Sequence, residues 1–169
     1  CAGPALAALN VFATVPEWAA RAQEIGGDKV KVFAATHGLQ YPHRIEAKPS
    51  LIARARNADL VVATGAELEV GWLPLVLRES GNARIQPGRP GHFEAARLVV
   101  MLEVPARLDR ADGDVHAEGN PHIQADPRNI LKVGEALAAR MAQLDAADAA
   151  AYRAGYQAFA RRWQANIAR

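Results

Sequence analysis

Two histidines each follow a proline in a predicted loop, and they are the residues of this sequence best suited to binding a metal ion. His43 follows Pro42, and His122 follows Asn120 and Pro121. A neutral imidazole nitrogen is a preferred ligand of zinc and of other transition metals. Two imidazoles on separate loops could therefore hold one metal ion, provided that the fold brings the loops together.

The cysteine count limits the other ligands to histidine and carboxylate. Cys1 is the only cysteine, which excludes an intrachain disulfide and any CxxC metal or redox motif. Three further residues are candidates to complete a coordination shell, because each lies in a polar segment before or after a predicted element. These candidates are His116, His37 and Glu46.

The remaining polar residues near these segments have simpler interpretations. His92, in a Pro-Gly-His sequence, is predicted to be a turn residue. Glu46 also has a simpler interpretation, because Glu46, Glu67 and Glu69 are all predicted to be solvated or to lie at a helix amino terminus, where a negative charge is favourable. Ser50, which follows Pro49, is predicted to cap a helix rather than to act as a nucleophile.

Length, charge and motif content exclude several classes of function. The chain has 169 residues, half of them hydrophobic, which predicts one domain with a packed core. Its 20 basic and 18 acidic residues form no basic stripe, so nucleic acid is not expected as a partner. No apolar stretch reaches the roughly 20 residues that cross a bilayer. The sequences GxGxxG, GxxxxGK[ST], HExxH and GxSxG are absent, so the commonest enzyme signatures are missing.

The first half of the chain alternates between strand patterns and helix patterns. Strands are predicted at 9–14, 30–36 and 59–65, and helices at 16–25, 50–57 and 67–80, with Gly81 ending the last helix. Three such alternations indicate a parallel sheet with right-handed crossovers.

The second half is less regular until it becomes helical. Ile85 is predicted in a short strand, 98–102 in a further strand, and 127–144 in a helix with Pro127 in its first turn. A long helix is predicted over 145–169, with apolar residues at spacings of three and four. This apolar stripe consists of Tyr152, Tyr156, Phe159, Trp163 and Ile167. The predicted fold is therefore α/β, a parallel sheet of about four strands with flanking helices, followed by a long helix.

The order of these elements places the two histidine loops. His43 follows the second predicted strand, and His122 lies just ahead of a predicted helix. Ligands of open α/β sheets bind beyond the carboxyl ends of the strands. We therefore expect both loops to lie on the same rim of the sheet.

The amino terminus indicates export. Ala5-Leu6-Ala7 is typical of the cleavage end of a secretory signal, so residues 1–8 are predicted to be a signal-peptide remnant or a flexible terminus. A lipid anchor through Cys1 is the rival interpretation, and the short spacer before the first strand makes it the less favoured one.

Three stretches together resemble the zinc- and manganese-binding solute receptors of bacterial ABC importers, the metal-specific cluster of periplasmic binding proteins. Residues 42–50, with His43, Glu46 and Pro49-Ser50, are similar to the first histidine loop of that family. Residues 58–73 are similar to its third strand and the helix that follows, and 120–129 to its second histidine loop. The Ala-rich helical region that follows resembles its long joining helix, so the resemblance runs from about residue 9 to the end.

The resemblance implies a function and a division of the chain. It implies capture of a transition-metal ion in the periplasm, zinc or alternatively manganese, for delivery to the membrane permease of an ABC importer. The metal would be a transported ligand, not a catalytic cofactor, with His43 and His122 as ligands. It also implies one lobe of a two-lobed fold, with 9–144 as the metal-binding lobe and 145–169 as the linker helix. We expect the second lobe, which supplies two more ligands in the family, to be absent from this chain.

The sequence also departs from the family, and two alternatives stay open. Tyr41 stands where an aspartate commonly precedes Pro-His, and Ile45 stands where an aromatic residue is usual. One alternative is a small metal-dependent hydrolase that uses the two histidines, a carboxylate and a metal-bound water. The other is an inert truncated lobe that dimerises through its apolar linker stripe.

Overall fold

The computed structural model describes residues 7–105 and 116–168, and the predictions for Cys1, Ala5 and Leu6 lie outside them. The described residues form a four-stranded sheet with helices on both faces. In chain order the strands and α-helices are β1 (Leu9–Ala13), α1 (Pro16–Gly26), β2 (Val30–Ala34), α2 (Pro49–Arg56), β3 (Leu60–Ala63), α3 (Leu73–Ser80), β4 (His92–Glu94), α4 (Pro127–Leu144) and α5 (Ala149–Ile167).

All the strand pairs in this sheet are parallel, and the strand order is β2-β1-β3-β4. Phe12 of β1 pairs with Phe33 of β2 on one side and with Val61 of β3 on the other. Parallel strands need a crossover between them, which the intervening helices and loops provide. The predicted α/β class, with four parallel strands and a long carboxyl-terminal helix, is confirmed.

The core lies on both faces of the sheet, because alternate strand residues point in opposite directions. Leu60 and Val62 of β3 pack with α1, α4 and α5 on one face. Val61 and Ala63 pack with α2 and α3 on the other. All four of these side chains are at most 1% exposed, as expected of a central parallel strand.

The fourth strand is not where the sequence predicted it. The apolar run 98–102 is not a strand, and Ile85 lies in a 3-10 turn, Ala83–Ile85. The strand is His92–Glu94, so His92 is a strand residue and not a turn residue. It was missed because it is short and polar. Gly91 permits it, since a Cβ there would lie 2.3 Å from the carbonyl oxygen of Arg84 and 2.7 Å from that of Asp59.

Two helices begin elsewhere than predicted. Lys48 is the N-cap residue of α2, so Ser50 lies inside the helix and the predicted cap at Ser50 is wrong. α3 begins at Leu73 and not near Glu67, because Ala66 and Glu67 have positive φ angles of 49° and 64°, which interrupt a right-handed helix. Its predicted end at Gly81 is confirmed, with the glycine in the left-handed conformation at φ 65°.

The long helix α5 packs back onto α1 and α4. Tyr152 and Phe159 of the apolar stripe are at most 1% exposed, and burial of side chains of this size contributes roughly 2 to 3 kcal/mol each. Trp163 is partly buried, and its indole N–H donates to the carbonyl of Pro127 at 2.8 Å. Ile167 is 40% exposed. Most of the stripe is therefore covered within the chain. Among the described residues, no helix combines the length and the apolar character that a bilayer crossing requires.

Candidate metal site

The His43 loop lies beyond the carboxyl end of β2, and residues that follow β3 hold it in place. The indole Nε1–H of Trp72 donates to the carbonyl oxygen of Pro42 at 2.9 Å. Gly71 lies against the same loop, since a Cβ at this position would be 3.1 Å from the carbonyl oxygen of His43. The ring of Tyr41 is 4.9 Å from the ring of His43, measured between centroids. His43 is thus a partly buried side chain on a braced loop.

The second loop carries His116 and His122 and packs against residues 101–104. Asn120 donates its backbone N–H to the carbonyl of Leu102 at 2.8 Å, and its side-chain oxygen accepts the N–H of His122 at 2.9 Å. Gly119 has a φ of 104°, and a Cβ there would lie 2.7 Å from the Leu102 oxygen. These contacts present His122, which is exposed, immediately before the 3-10 turn Ile123–Ala125 that leads into α4.

The two loops meet at the rim of the sheet. The ring centroids of His43 and His116 are 5.0 Å apart, and those of His43 and His122 are 6.2 Å apart. The structure therefore brings together three of the five candidate ligands. Within residues 7–105 and 116–168, no group of three or more His, Cys, Asp or Glu side chains is already arranged to hold a metal ion.

The contacts described for the other two candidates are local. The Nδ1 atom of His37 accepts the backbone N–H of Leu39 at 3.3 Å, within its own turn. Glu46 is exposed, and its backbone carbonyl accepts the N–H of Lys48 at 2.8 Å.

His92 lies in a separate polar cluster on β4. Its Nδ1 atom is 2.9 Å from the carbonyl oxygen of Ile85, and its Nε2 atom is 3.1 Å from Oε1 of Glu94. Burial tends to raise the pKa of Glu94, but hydrogen bonds from Arg97 and His92 outweigh it and hold that pKa below its usual value. Both ring nitrogens of His92 are therefore engaged in the fold.

Comparison with protein-family models gives a specific match to this chain. The family model of ZnuA, the periplasmic zinc-uptake complex component A, matches residues 11–169. The chain belongs to this family.

Curated relatives of this zinc-uptake family member are named as substrate-binding lipoproteins of metal ABC transporters. The metal ABC transporter substrate-binding lipoprotein ScbA of Streptococcus cristatus is 23% identical over 151 residues, which cover 89% of the chain and 46% of ScbA. The manganese ABC transporter substrate-binding lipoprotein scaA of Streptococcus gordonii has the same identity and coverage. The chain spans about half the length of the curated relatives it matches.

Solved structures of the family have the same fold. A ZnuA crystal structure superposes with a TM-score of 0.74 at 24% identity, covering 93% of this chain and 55% of that one. Zinc-bound AdcA of Streptococcus pneumoniae superposes with a TM-score of 0.74 at 18% identity, covering 94% of this chain and 31% of AdcA.

In this ZnuA-family chain, the residue that sequence reasoning missed is Glu69. The prediction of a solvated or helix-terminal carboxylate is wrong for it, because the residue is 3% exposed and precedes α3 by a full turn. Its Oε1 atom accepts the hydroxyl of Thr14 at 2.6 Å and the N–H of Thr64 at 2.8 Å, and its Oε2 atom accepts the N–H of Gly65 at 3.0 Å. Burial raises the pKa of Glu69, and these hydrogen bonds oppose the rise.

These bonds stabilise an unusual piece of backbone. Gly65, Ala66 and Glu67 all have positive φ angles, and each non-glycine residue in this region costs about 1 kcal/mol. A hydrogen bond contributes about 1 kcal/mol net, so the bonds that the N–H groups of Thr64 and Gly65 donate to Glu69 offset part of that cost. A sequence signal exists: Glu69 comes four residues after a glycine that follows a wholly buried strand, and a carboxylate there can reach back to the strand end.

Proposed function

We propose that this chain carries the metal-binding site of an extracytoplasmic receptor that captures a transition-metal ion for an ABC importer. His43 and His122 are the principal ligands, and His116 is the third. The supporting observation is that these imidazoles, on loops far apart in sequence, lie with ring centroids 5.0 and 6.2 Å from that of His43.

These separations suit a shared zinc ion. With zinc–nitrogen distances of about 2.0 to 2.1 Å, each ring centroid lies about 3.2 Å from the ion, so two tetrahedral imidazole ligands have centroids about 5 Å apart. The His43–His116 separation is close to this value, but the two rings are stacked with their planes 18° apart and must turn before a nitrogen of each can face the same ion. Binding would turn the rings and draw His122 closer by about 1 Å, a movement available to an exposed side chain at the start of a turn.

The donor set favours zinc over manganese. Three imidazole nitrogens suit zinc, whereas manganese prefers carboxylate, carbonyl and water oxygens. Glu46 and His37 are further candidates for the fourth coordination position of the metal. A carboxylate ligand from Glu46 would move the metal preference of the site toward manganese. Because manganese is named for one relative and zinc for another, we retain manganese as the alternative cargo.

The contacts of the carboxylates near the histidines favour metal capture over catalysis of hydrolysis. The Oε2 atom of Glu67 accepts the N–H of Ala117 at 2.7 Å, and the Oε2 atom of Glu103 accepts the side-chain amide of Asn120 at 2.7 Å. These carboxylates hold the second histidine loop in place. A hydrolase would need a carboxylate that takes a proton from a metal-bound water, whereas the contacts of these two carboxylates are structural.

The division of the chain and its location complete the proposal. We assign residues 9–144 to the metal-binding lobe and residues 145–169, which contain α5, to the linker that leads to a second lobe in the two-lobed receptors. The relatives' names, which describe lipoproteins and a periplasmic component, support an exported protein that works with a membrane permease. We propose that the protein is exported as a free periplasmic protein, with a lipid anchor through Cys1 as the alternative.

Calorimetric titration with zinc tests the ligand assignment. His43→Ala and His122→Ala should each weaken zinc binding by at least about tenfold, since loss of even a supporting residue around a metal costs 10- to 100-fold. His92→Ala is the matched control, because its ring belongs to the β4 cluster, and thermal melting checks that each variant is folded. Equal losses in all three variants, or no loss in the first two, would refute the assignment.

A hydrolysis assay distinguishes a metal receptor from the hydrolase alternative. The zinc-loaded protein is incubated with p-nitrophenyl acetate beside free zinc and the His122→Ala variant. A receptor should show no hydrolysis beyond that of free zinc. Turnover that disappears in the variant would support the hydrolase.

A further inference from the structure

We propose that Glu69 is a positioning residue of the metal site, which sets the distance between the His43 loop and the His116 loop without touching the ion. This inference rests on the proposed function. Glu69 acts through residues 64–72, here called the bracing segment, which joins β3 to α3.

Glu69 fixes the bracing segment at its base. Its carboxylate joins the hydroxyl of Thr14, at the end of β1, to the N–H groups of Thr64 and Gly65, at the end of β3. Its own carbonyl accepts the N–H groups of Trp72 at 3.1 Å and Leu73 at 3.0 Å. The same residue therefore anchors the start of the segment by its side chain and the end of the segment by its backbone.

The bracing segment in turn contacts both histidine loops. At its carboxyl end, Trp72 donates to the carbonyl of Pro42, the residue before His43. In its middle, Glu67 accepts the N–H of Ala117, the residue after His116. Both loops are thus tied, one residue away from a candidate ligand, to the same short piece of backbone.

The left-handed turn makes these two contacts possible at once. Gly65, Ala66 and Glu67 have φ angles of 79°, 49° and 64°. This turn aims the Glu67 side chain at Ala117 while the chain continues toward Trp72. If Glu69 released the N–H groups of Thr64 and Gly65, these strained residues would relax toward ordinary angles, and the Glu67 contact would move with them.

The chemistry at this position requires a carboxylate. Two of its three donors are backbone N–H groups, which cannot accept a hydrogen bond. Glutamine has the same shape but carries an NH2 group, which would face the N–H of Thr64 in one amide orientation and the N–H of Gly65 in the other. Glu69→Gln therefore removes part of the anchor with almost no change in volume.

Asn82 provides a matched control at the amino-terminal ends of the strands, away from the histidine loops. Its buried side-chain amide donates to the carbonyl oxygens of Ala55, Arg56 and Ala58, before β3 begins. Asn82→Ala breaks a buried polar network of similar size but leaves the bracing segment intact. A loss of metal affinity that followed only from lower stability would appear in both variants.

The experiment measures two properties of the full chain. Zinc affinity is measured by calorimetry for the unmodified protein, Glu69→Gln and Asn82→Ala, at a temperature well below each melting point. The contact between the His43 and His116 rings is measured in the metal-free protein as a nuclear Overhauser effect between ring protons. Thr14→Val, which removes a single hydrogen bond to Glu69, replaces Glu69→Gln if that variant does not fold.

We expect Glu69→Gln to weaken zinc binding at least tenfold and to lose the ring-to-ring signal, while Asn82→Ala keeps both despite a lower melting temperature. Thr14→Val should weaken binding about threefold. Unchanged affinity in Glu69→Gln, or an equal loss in Asn82→Ala, would overturn the positioning role. If the unmodified protein does not bind zinc, the proposed function fails, and the ring-to-ring signal alone decides whether Glu69 positions the loops.

Discussion

A close approach between helices α1 and α5 gives the most quantitative prediction. Gly155 of α5 lies against α1, and a Cβ built on it would be 2.1 Å from the carbonyl oxygen of Ile25 and 2.9 Å from its carbonyl carbon. Both atoms are backbone and cannot rotate away. To restore an ordinary contact of at least 3.4 Å, α5 must move by about 1.3 Å, and overpacking of this kind costs roughly 1 to 3 kcal/mol.

Gly155→Ala should therefore destabilise the protein although alanine is the better helix former. The gain in helix propensity is about 1 kcal/mol, which leaves a net loss of up to about 2 kcal/mol when the clash lies at the upper end of its range. For a domain of this size, a loss of that order lowers Tm by about 4 to 8 °C. Thermal unfolding followed by circular dichroism measures the shift.

Gly134→Ala is the control on the partner helix α4. Its Cβ would lie 3.3 Å from ring atoms of Phe159 and Tyr156, which are side chains and can yield by a few tenths of an ångström. The propensity gain should then balance the contact, so we expect Tm to change by less than about 2 °C. If Gly155→Ala instead raised Tm like an ordinary glycine replacement, α5 would not pack on α1 as described.

Three further predictions concern ionisation, the first histidine loop and association. Because the pKa of Glu94 is lowered in the folded protein, its charge stabilises the fold above the unfolded pKa of 4.5, and this contribution is lost as pH falls through the folded pKa. Glu94→Gln should therefore cost about 1 kcal/mol in urea unfolding at pH 7 and progressively less as the pH is lowered below 4.5, and a cost that does not change with pH would contradict this. Trp72→Phe removes the donor to Pro42 and should weaken zinc binding about fivefold by calorimetry, because one hydrogen bond contributes about 1 kcal/mol; unchanged affinity would show that the bond does not hold the loop. Size-exclusion chromatography over a hundredfold range of concentration should give a constant monomer volume, because α1 and α4 cover Tyr152 and Phe159, and a shift toward a dimer would revive the inert dimer hypothesis.

The sequence was sufficient for the architecture where local pattern and burial agree. β1, β2 and β3 lie within one or two residues of their predictions, because each is an apolar run bounded by turn residues. The helix Pro127–Leu144 matches its predicted range, since Pro127 favours a first turn and the apolar periodicity continues to its end.

The failures share a physical cause, which is that tertiary contacts decided the local structure. His92–Glu94 becomes a strand because β3 offers it an open edge, although its sequence is polar. The apolar run 98–102 stays outside the sheet, with Val100 80% exposed and Leu102 69% exposed. The start of α3 was misplaced because a buried carboxylate, Glu69, stabilises a left-handed turn that local propensity disfavours.

The candidate site was partly accessible from sequence. The rule for parallel sheets correctly placed His43 and His122 at one rim, where their ring centroids are 6.2 Å apart. The proximity of His116, with its ring 5.0 Å from that of His43, could only be raised as one of several options, because its loop has no regular pattern. Glu69 was not identified, since its role depends on Thr14, 55 residues away in sequence.

The central claim is that His43 and His122 bind the same ion, and anomalous diffraction at the zinc edge from crystals grown with zinc tests it most directly. The account predicts one peak about 2.0 to 2.1 Å from a ring nitrogen of each histidine. Zinc bound elsewhere, or bound by only one of the two rings, would contradict it.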